Sequence, residues 1–325
     1  MSTPVVEVRG LRKHYPVGGG LFGRRRQSVK AVDGVSFDLP AGRTLGLVGE
    51  SGCGKSTLGR TMMRLEDPTA GAVRFEGRDL AQARPKELFA LRRDMQMIFQ
   101  DPYSSLNPRL SVGETVREPL DVHSLGPRAE RREQVDGLLE AVGLDPAVQD
   151  RYPHEFSGGQ RQRIGIARCL ALGPKVIVAD EPVSALDVSV QGQVLNLLVR
   201  FQQERDLAYL LISHDLSVVE YLSDRVAVMY LGRLVEVGPR DEVFSRPAHP
   251  YTRALLEAVP VADPRRRRDR EPLLGETPSA VNPPPGCAFH PRCPFAVGAC
   301  REQVPELEAV GDGGHTAACI RKDEI

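Results

Sequence analysis

The run GESGCGKST, residues 49–57, constrains this chain more than any other stretch. It ends the apolar TLGLVGE (44–50), which reads as a buried strand, and it opens a helical pattern. A glycine-rich turn between strand and helix is the context in which backbone N–H groups close round a phosphate. Gly49, Gly52 and Gly54 let the backbone turn tightly and aim those groups inward, at a helix N-terminus that carries partial positive charge. Lys55 adds a point charge for the β and γ phosphates, Ser56 a hydroxyl for Mg²⁺, and Thr57 a hydrogen bond to phosphate. Glu50, Ser51 and Cys53 complete the loop, and Cys53 reads as a tolerated small residue rather than a redox sensor.

Two further strands end in chemistry. KVIVADE (175–181) has four apolar residues followed by two carboxylates, which places Asp180 in the Mg²⁺ shell and Glu181 as the general base that polarises an attacking water. AYLLISHD (208–215) brings His214 to a strand end, where a polar group can hold that water and the γ-phosphate in line. In FSGGQRQRIGIARCLAL (156–172), Ser157 fits the cap of a helix with apolar Ile164, Ala167 and Leu170. The glycines after it, Gly158 and Gly159, leave backbone N–H groups open to an anion. That makes a second γ-phosphate receptor, and one ATP rarely needs two from the same chain.

From about residue 4 to 248, short β-rich runs alternate with helical patterns, the signature of a layered α/β fold with a mainly parallel sheet. RREQVDGLLEAVGL (131–144) carries Val135, Leu138, Leu139 and Val142 at helical spacing and reads as a helical insert. The loop GGGLFGRRRQ (18–27) reads as a solvated tip, and the Pro- and Arg-rich run after residue 258, with Arg265 to Arg268, as a solvated connector. Lys plus Arg and Asp plus Glu each total 43 in 325 residues, so no global basic field exists to hold nucleic acid. No apolar run reaches the roughly 18 residues that span a bilayer, and MSTPVVEVRG lacks a signal-peptide core, which points to the cytosol. In that reducing setting the six cysteines are poor disulfide candidates.

These motifs, in this order, resemble the ATP-binding subunits of ABC transporters over nearly the whole chain. GESGCGKST is similar to that family's Walker A loop, VIVADE to its Walker B strand and SGGQRQ, including Gln160, to its signature. SALD (184–187), ending in Asp187, resembles the D-loop, Gln100 in MIFQDP the Q-loop glutamine, His214 the switch histidine, and Tyr15 in KHYPV the aromatic residue that stacks on adenine. The resemblance implies a P-loop ATPase fold of the α/β class with a mixed-sheet core. A nucleotide-binding domain over 1–258 would hold a helical subdomain at about 101–170, and an irregular Cys-rich extension would cover 259–325. It also implies a head-to-tail dimer. Each ATP would lie between Gly49–Thr57 of one subunit and Ser157, Gly158 and Gly159 of the other, which accounts for the second receptor. Ser56, Gln100 and Asp180 would surround Mg²⁺, and the Gln100 loop would abut a membrane-subunit helix.

FQDPYSSLNPR (99–109), HPYTRALLEAVP (249–260) and PLLGETPSAVNPPPGCAFHPRCPFA (272–296) narrow the resemblance to dipeptide and oligopeptide importers, closer to the second of their two ATP-binding subunits. The partners implied are a second ATP-binding subunit, two transmembrane permease subunits and an extracytoplasmic binding protein. The chain itself would lie peripherally on the cytoplasmic face of the membrane. Nickel importers share much of the pattern and stay open as an alternative. Soluble ABC ATPases in non-transport roles fit less well, because the chain shows one cassette and no sustained heptads.

Cys287, Cys293, Cys300 and Cys319 have five, six and eighteen residues between successive members. The gaps exceed zinc-ribbon spacing and match neither ferredoxin pattern. Even so, four thiols set among Pro and Gly are hard to explain as core packing and read as metal ligands, suited to an iron–sulfur cluster or Zn²⁺. His290 fits a turn before Pro291, and His315 is a possible substitute ligand. The importer resemblance favours a [4Fe-4S] cluster with a structural or regulatory role.

Overall fold

The structure is a computed structural model that describes residues 4–17, 27–101, 105–259 and 275–324. The arginines of the 18–26 loop and the run Arg265–Arg268 lie outside the described residues. In chain order the elements begin with β1 (Pro4–Val17), β2 (Gln27–Pro40), β3 (Thr44–Val48), α1 (Lys55–Met62), β4 (Ala70–Phe75) and β5 (Arg78–Asp79). They continue with α2 (Pro85–Leu91), β6 (Met95–Ile98), α3 (Val112–Val122), α4 (Arg131–Ala141), α5 (Gly158–Leu170), β7 (Val176–Asp180), α6 (Val188–Arg205) and β8 (Ala208–Ile212). The last are α7 (Leu216–Leu222), β9 (Arg225–Tyr230), β10 (Arg233–Pro239), α8 (Arg240–Ser245), α9 (Pro250–Ala258), β11 (Glu308–Ala309) and β12 (Thr316–Ala317).

The chain forms two compact units. The first comprises Met1–Val5, Leu39–Arg43 and Gln82–Ile212. Its strands β6, β7 and β8 are parallel, with Val178 facing Met97 on one side and Leu210 on the other. Every residue of β7 and β8 is buried, as continuous apolar runs demand of strands covered on both faces. Helices α3, α4 and α5 fill the segment before β7, and Val135, Leu139 and Val142 of the periodic stripe are fully buried. Leu138, on the flank of that stripe, is half-exposed.

The second unit comprises Val6–Asp38, Thr44–Ala81 and Ser213–Ile325. Strand β3 is parallel to β9, whereas β10 is antiparallel to β9, so strand directions are mixed. A second sheet, in the order β2-β1-β4-β5, pairs β1 with β4 antiparallel, which an expectation of a mainly parallel sheet omits. The difference arises because β1 and β4 are joined in space with opposite directions rather than through a right-handed helical crossover.

The C-terminal residues are tied to this unit by a strand and a buried carboxylate. β12 pairs with β10, Glu236 opposite Ala317 and Val237 opposite Thr316. Glu236 is fully buried and accepts from Ala248 N (2.8 Å), His249 N (2.9 Å) and His315 Nε2 (2.7 Å). A carboxylate removed from water needs such donors.

Candidate nucleotide site

The phosphate loop belongs to the second unit. Gly54 is the N-cap of α1 with φ of 108°, and a Cβ there would lie 1.9 Å from the carbonyl oxygen of Ala31. Only glycine meets both demands. Beneath it Leu58 and Met62 are fully buried and anchor the first turns of α1. Lys55 is itself buried, and its Nζ donates to the carbonyl oxygens of Gly49 (2.7 Å) and Glu50 (3.0 Å), drawing the ammonium across the loop. Ser51 and Gly52 form the exposed crest. Cys53 is buried and burial pushes its thiol pKa up, which suits a packed neutral thiol and not a redox sensor.

Glu50 has partners well outside the loop. Its N–H donates to the Tyr251 hydroxyl (2.8 Å), and its carboxylate accepts from Thr277 Oγ1 (2.7 Å) and from both Arg292 Nη atoms (2.9 Å each). Burial raises the Glu50 pKa, but hydrogen bonds from Arg292 and Thr277, then the charges of Arg292 and Lys55, outweigh it and leave the carboxyl below its ordinary value. Tyr15 also lies beside the loop. Its hydroxyl bonds Glu66 and Thr57, and Lys13 Nζ sits 4.9 Å from its ring centroid. His214 is exposed, in a tight turn where Asp215 N donates to Ser213 Oγ (3.0 Å) and Asp215 caps α7 through Ser217 N (2.9 Å).

The carboxylate pair belongs to the first unit. Asp180 ends β7 almost wholly buried. Glu181 follows with φ of 49°, a left-handed conformation that costs a non-glycine residue on the order of 1 kcal/mol and is held by its N–H on Ile212 O (2.8 Å). The Glu181 carboxylate accepts from Gln100 Nε2 at 2.7 Å, so the expected base and the expected Q-loop residue touch.

Ser157 caps α5 in a capping box: Gln160 N donates to Ser157 Oγ (3.4 Å) and Ser157 N to Gln160 Oε1 (3.0 Å). A Cβ on Gly159 would come within 2.3 Å of Val190 Cγ1, so the second glycine is fixed by packing as well as by any ligand. Asp187 is the N-cap of α6. Sequence reasoning missed Gln191, one turn further on, whose Nε2 donates to the carbonyl oxygens of Val183 and Leu186, both at 3.1 Å, and so holds the 184–187 loop. A polar residue one turn after the loop was the only available signal.

Comparison with known proteins fits this geometry. The ABC transporter family matches residues 32–184, and the oligopeptide/dipeptide transporter C-terminal region matches 235–300. A probable peptide ABC transporter ATP-binding protein, y4tS of Sinorhizobium fredii, is 57% identical over 99% of this chain and 91% of its own. The oligopeptide transport ATP-binding protein AppF of Bacillus subtilis is 54% identical over 97% of this chain and 96% of its own. The chain belongs to the ATP-binding proteins of peptide ABC transporters.

Solved structures agree on the fold of this ABC ATPase. CbiO1 of Clostridium perfringens, part of the ABC transporter complex cbiONQ, matches with a TM-score of 0.64 at 29% identity, over 75% of this chain and 91% of that one. The ATP-binding cassette MJ0796, solved as a dimer in a post-hydrolysis state with ADP and Pi, matches with a TM-score of 0.64 at 28% identity, over 72% of this chain and 98% of that one.

In this ABC ATPase the four C-terminal cysteines do line one small apolar cavity of about 20 Å³. They do not support the expectation of a metal centre: among the described residues, no group of three or more His, Cys, Asp or Glu side chains is arranged as a metal site. The reading of Cys287, Cys293, Cys300 and Cys319 as ligands of a [4Fe-4S] cluster or Zn²⁺ is therefore not supported by the structure. Burial, then the neighbouring thiols, push Cys287 up to about 11, and burial raises Cys293 and Cys319 as well. His290 Nδ1 lies 2.9 Å from Cys287 O in a local turn, and His315 is committed to Glu236, so neither joins the set. Among the described residues no helix is long and apolar enough to cross a membrane.

Proposed function

We propose that this ATPase powers import of di- or oligopeptides, pairing head to tail with a second ATP-binding subunit on the cytoplasmic face of a membrane, against two permease subunits fed by an extracytoplasmic binding protein. The relatives named for peptide transport, at 57% and 54% identity over nearly the whole chain, support that cargo class over nickel.

In the proposed reaction the loop amides from Gly49 to Thr57 and Lys55 hold the phosphates, and Tyr15 takes the adenine. Ser56, Asp180 and Gln100 offer a hydroxyl, a carboxylate and an amide oxygen, the hard donors that Mg²⁺ prefers, so the residues fit that ion. Bound there, Mg²⁺ would neutralise charge developing on the β and γ phosphates. Glu181 takes the proton of the attacking water, and His214 holds the γ-phosphate in line. The N-terminus of α5, with Ser157, Gly158, Gly159 and Gln160, receives the γ-phosphate of the partner's nucleotide, and Asp187 borders the shared interface. ATP binding closes the pair and hydrolysis reopens it.

The observation that carries the reading is the 2.7 Å bond from Gln100 Nε2 to Glu181, which orients the base. The test is Glu181→Gln in the assembled transporter. ATP turnover should fall by about two orders of magnitude while nucleotide binding survives, because general-base catalysis contributes on that scale. Unchanged peptide-stimulated turnover would remove Glu181 from the base role.

A further inference from the structure

The C-terminal residues reach the phosphate loop at Glu50, whose side chain and N–H they engage. Glu50 N–H is taken by the Tyr251 hydroxyl, Glu50 O by Lys55 Nζ, and the two carboxylate oxygens by Arg292 and Thr277. Arg292 binds in the two-pronged geometry, one Nη on each Oε at 2.9 Å, which fixes direction as well as distance. Its side chain is only 6% exposed, and its guanidinium carbon lies 6.0 Å from the Tyr230 ring centroid. Behind it Phe289 packs edge-on to Tyr230 and against Tyr251, with ring centroids 5.4 Å away in each case. The guanidinium is therefore preset by an aromatic bed before it meets Glu50.

We propose that Arg292 is a positioning residue for nucleotide binding: from the C-terminal region it grips Glu50 and holds the phosphate loop in its receiving shape, with Thr277 and Tyr251 completing the grip. The inference rests on the reading of residues 49–57 as the phosphate loop. Glu50 sits one residue after Gly49 and five before Lys55, so its direction sets the path of the amides between them. Loss of the grip leaves the loop intact but free to sample other shapes, and ordering it on binding then costs affinity.

The experiment is a steady-state and binding titration with MgATP on the full chain, with Arg292→Gln, Glu50→Gln and the double variant. Arg292→Gln should raise the KM for ATP and the Kd of MgATP about tenfold, a typical cost of ordering a released segment, with kcat changed less than about twofold. The double variant should match the worse single variant, because both remove one grip. Arg233→Gln removes another ion pair of the same unit, to Asp33 at 2.7 Å, and should leave KM unchanged. Thr277→Val, at an exposed residue that tolerates change, should raise KM about two- to threefold and keeps the test available if Arg292→Gln does not fold. Lower stability with KM and Kd unmoved would overturn the proposal and leave Arg292 a tether. Additive effects in the double variant would overturn it too. A Lys55→Ala chain that binds MgATP as the wild type does would overturn the phosphate-loop reading and the proposal with it.

Discussion

Acid should unfold this protein through His249. The imidazole is 1% exposed at the N-cap of α9, where its Nδ1 accepts from Tyr251 N–H at 3.1 Å. That bond needs a neutral ring, and burial pushes the pKa from 6.5 down to about 4, against an opposing pull from the Glu236 charge. The unfolded chain therefore binds a proton in a pH range where the folded chain does not. The resulting stability is complete above the unfolded pKa of 6.5 and is lost as pH falls through about 4. At about 1.36 kcal/mol per pKa unit the whole shift amounts to roughly 3 kcal/mol. About 2 kcal/mol of it should disappear between pH 7 and pH 5, before most carboxylates titrate. The assay is urea unfolding at both pH values for wild type and His249→Asn. The Asn Oδ1 can accept from Tyr251 N–H and keep the cap, but it cannot titrate. The variant loses packing against Phe289 and starts less stable, so the informative quantity is the difference in pH dependence. Parallel curves for the two proteins would refute the assignment.

Two further outcomes follow from local geometry. Gly54→Ala, with φ of 108° and a Cβ 1.9 Å from Ala31 O, should destabilise by about 2 kcal/mol or more and abolish nucleotide binding. Gly52→Ala, at φ of 77° with no atom within 4 Å of the added carbon, should cost only about 1 kcal/mol, and equal losses by thermal melting would contradict the clash. Gln191→Ala removes both bonds that this side chain makes to the carbonyl oxygens of Val183 and Leu186, and ATP turnover should drop about tenfold with nucleotide affinity unchanged. Turnover equal to wild type would show that the loop holds itself.

What could be read from the chain alone is what local rules determine. Backbone sterics admit only glycine at Gly54, a hydroxyl before two glycines announces the cap at Ser157, and periodic apolar residues announce α4. The strands are shorter than their apolar runs suggest, because Gly49 and Glu181 follow the last ladder residues Val48 and Asp180 with positive φ. The left-handed backbone at Glu181 had no signal, since glutamate is a poor choice there and its bonds, such as that to Ile212 O, come from distant parts of the chain. The spacing of the four cysteines correctly announced one cluster of thiols. Spacing along the chain does not by itself distinguish ligands from packing, which depends on the geometry of the donor set.

Glu50 shows where local reasoning stops. Within the loop motif its position accepts any residue, because the phosphate cradle is made by its backbone neighbours and not by its side chain. Its carboxylate acquires a purpose only through Arg292, 242 residues away, and Thr277, 227 residues away. Neither partner follows a period or a cap, and both are placed by the docking of β12 on β10 and by the aromatic bed of Phe289, Tyr230 and Tyr251. Without that region folded against the loop, the carboxylate would keep only the nearby Lys55 charge and lose the two-pronged contact that fixes its direction. The acid at Glu50 and the base at Arg292 therefore make sense only as a pair, and the pair is sensible only if the C-terminal region folds onto the loop it serves.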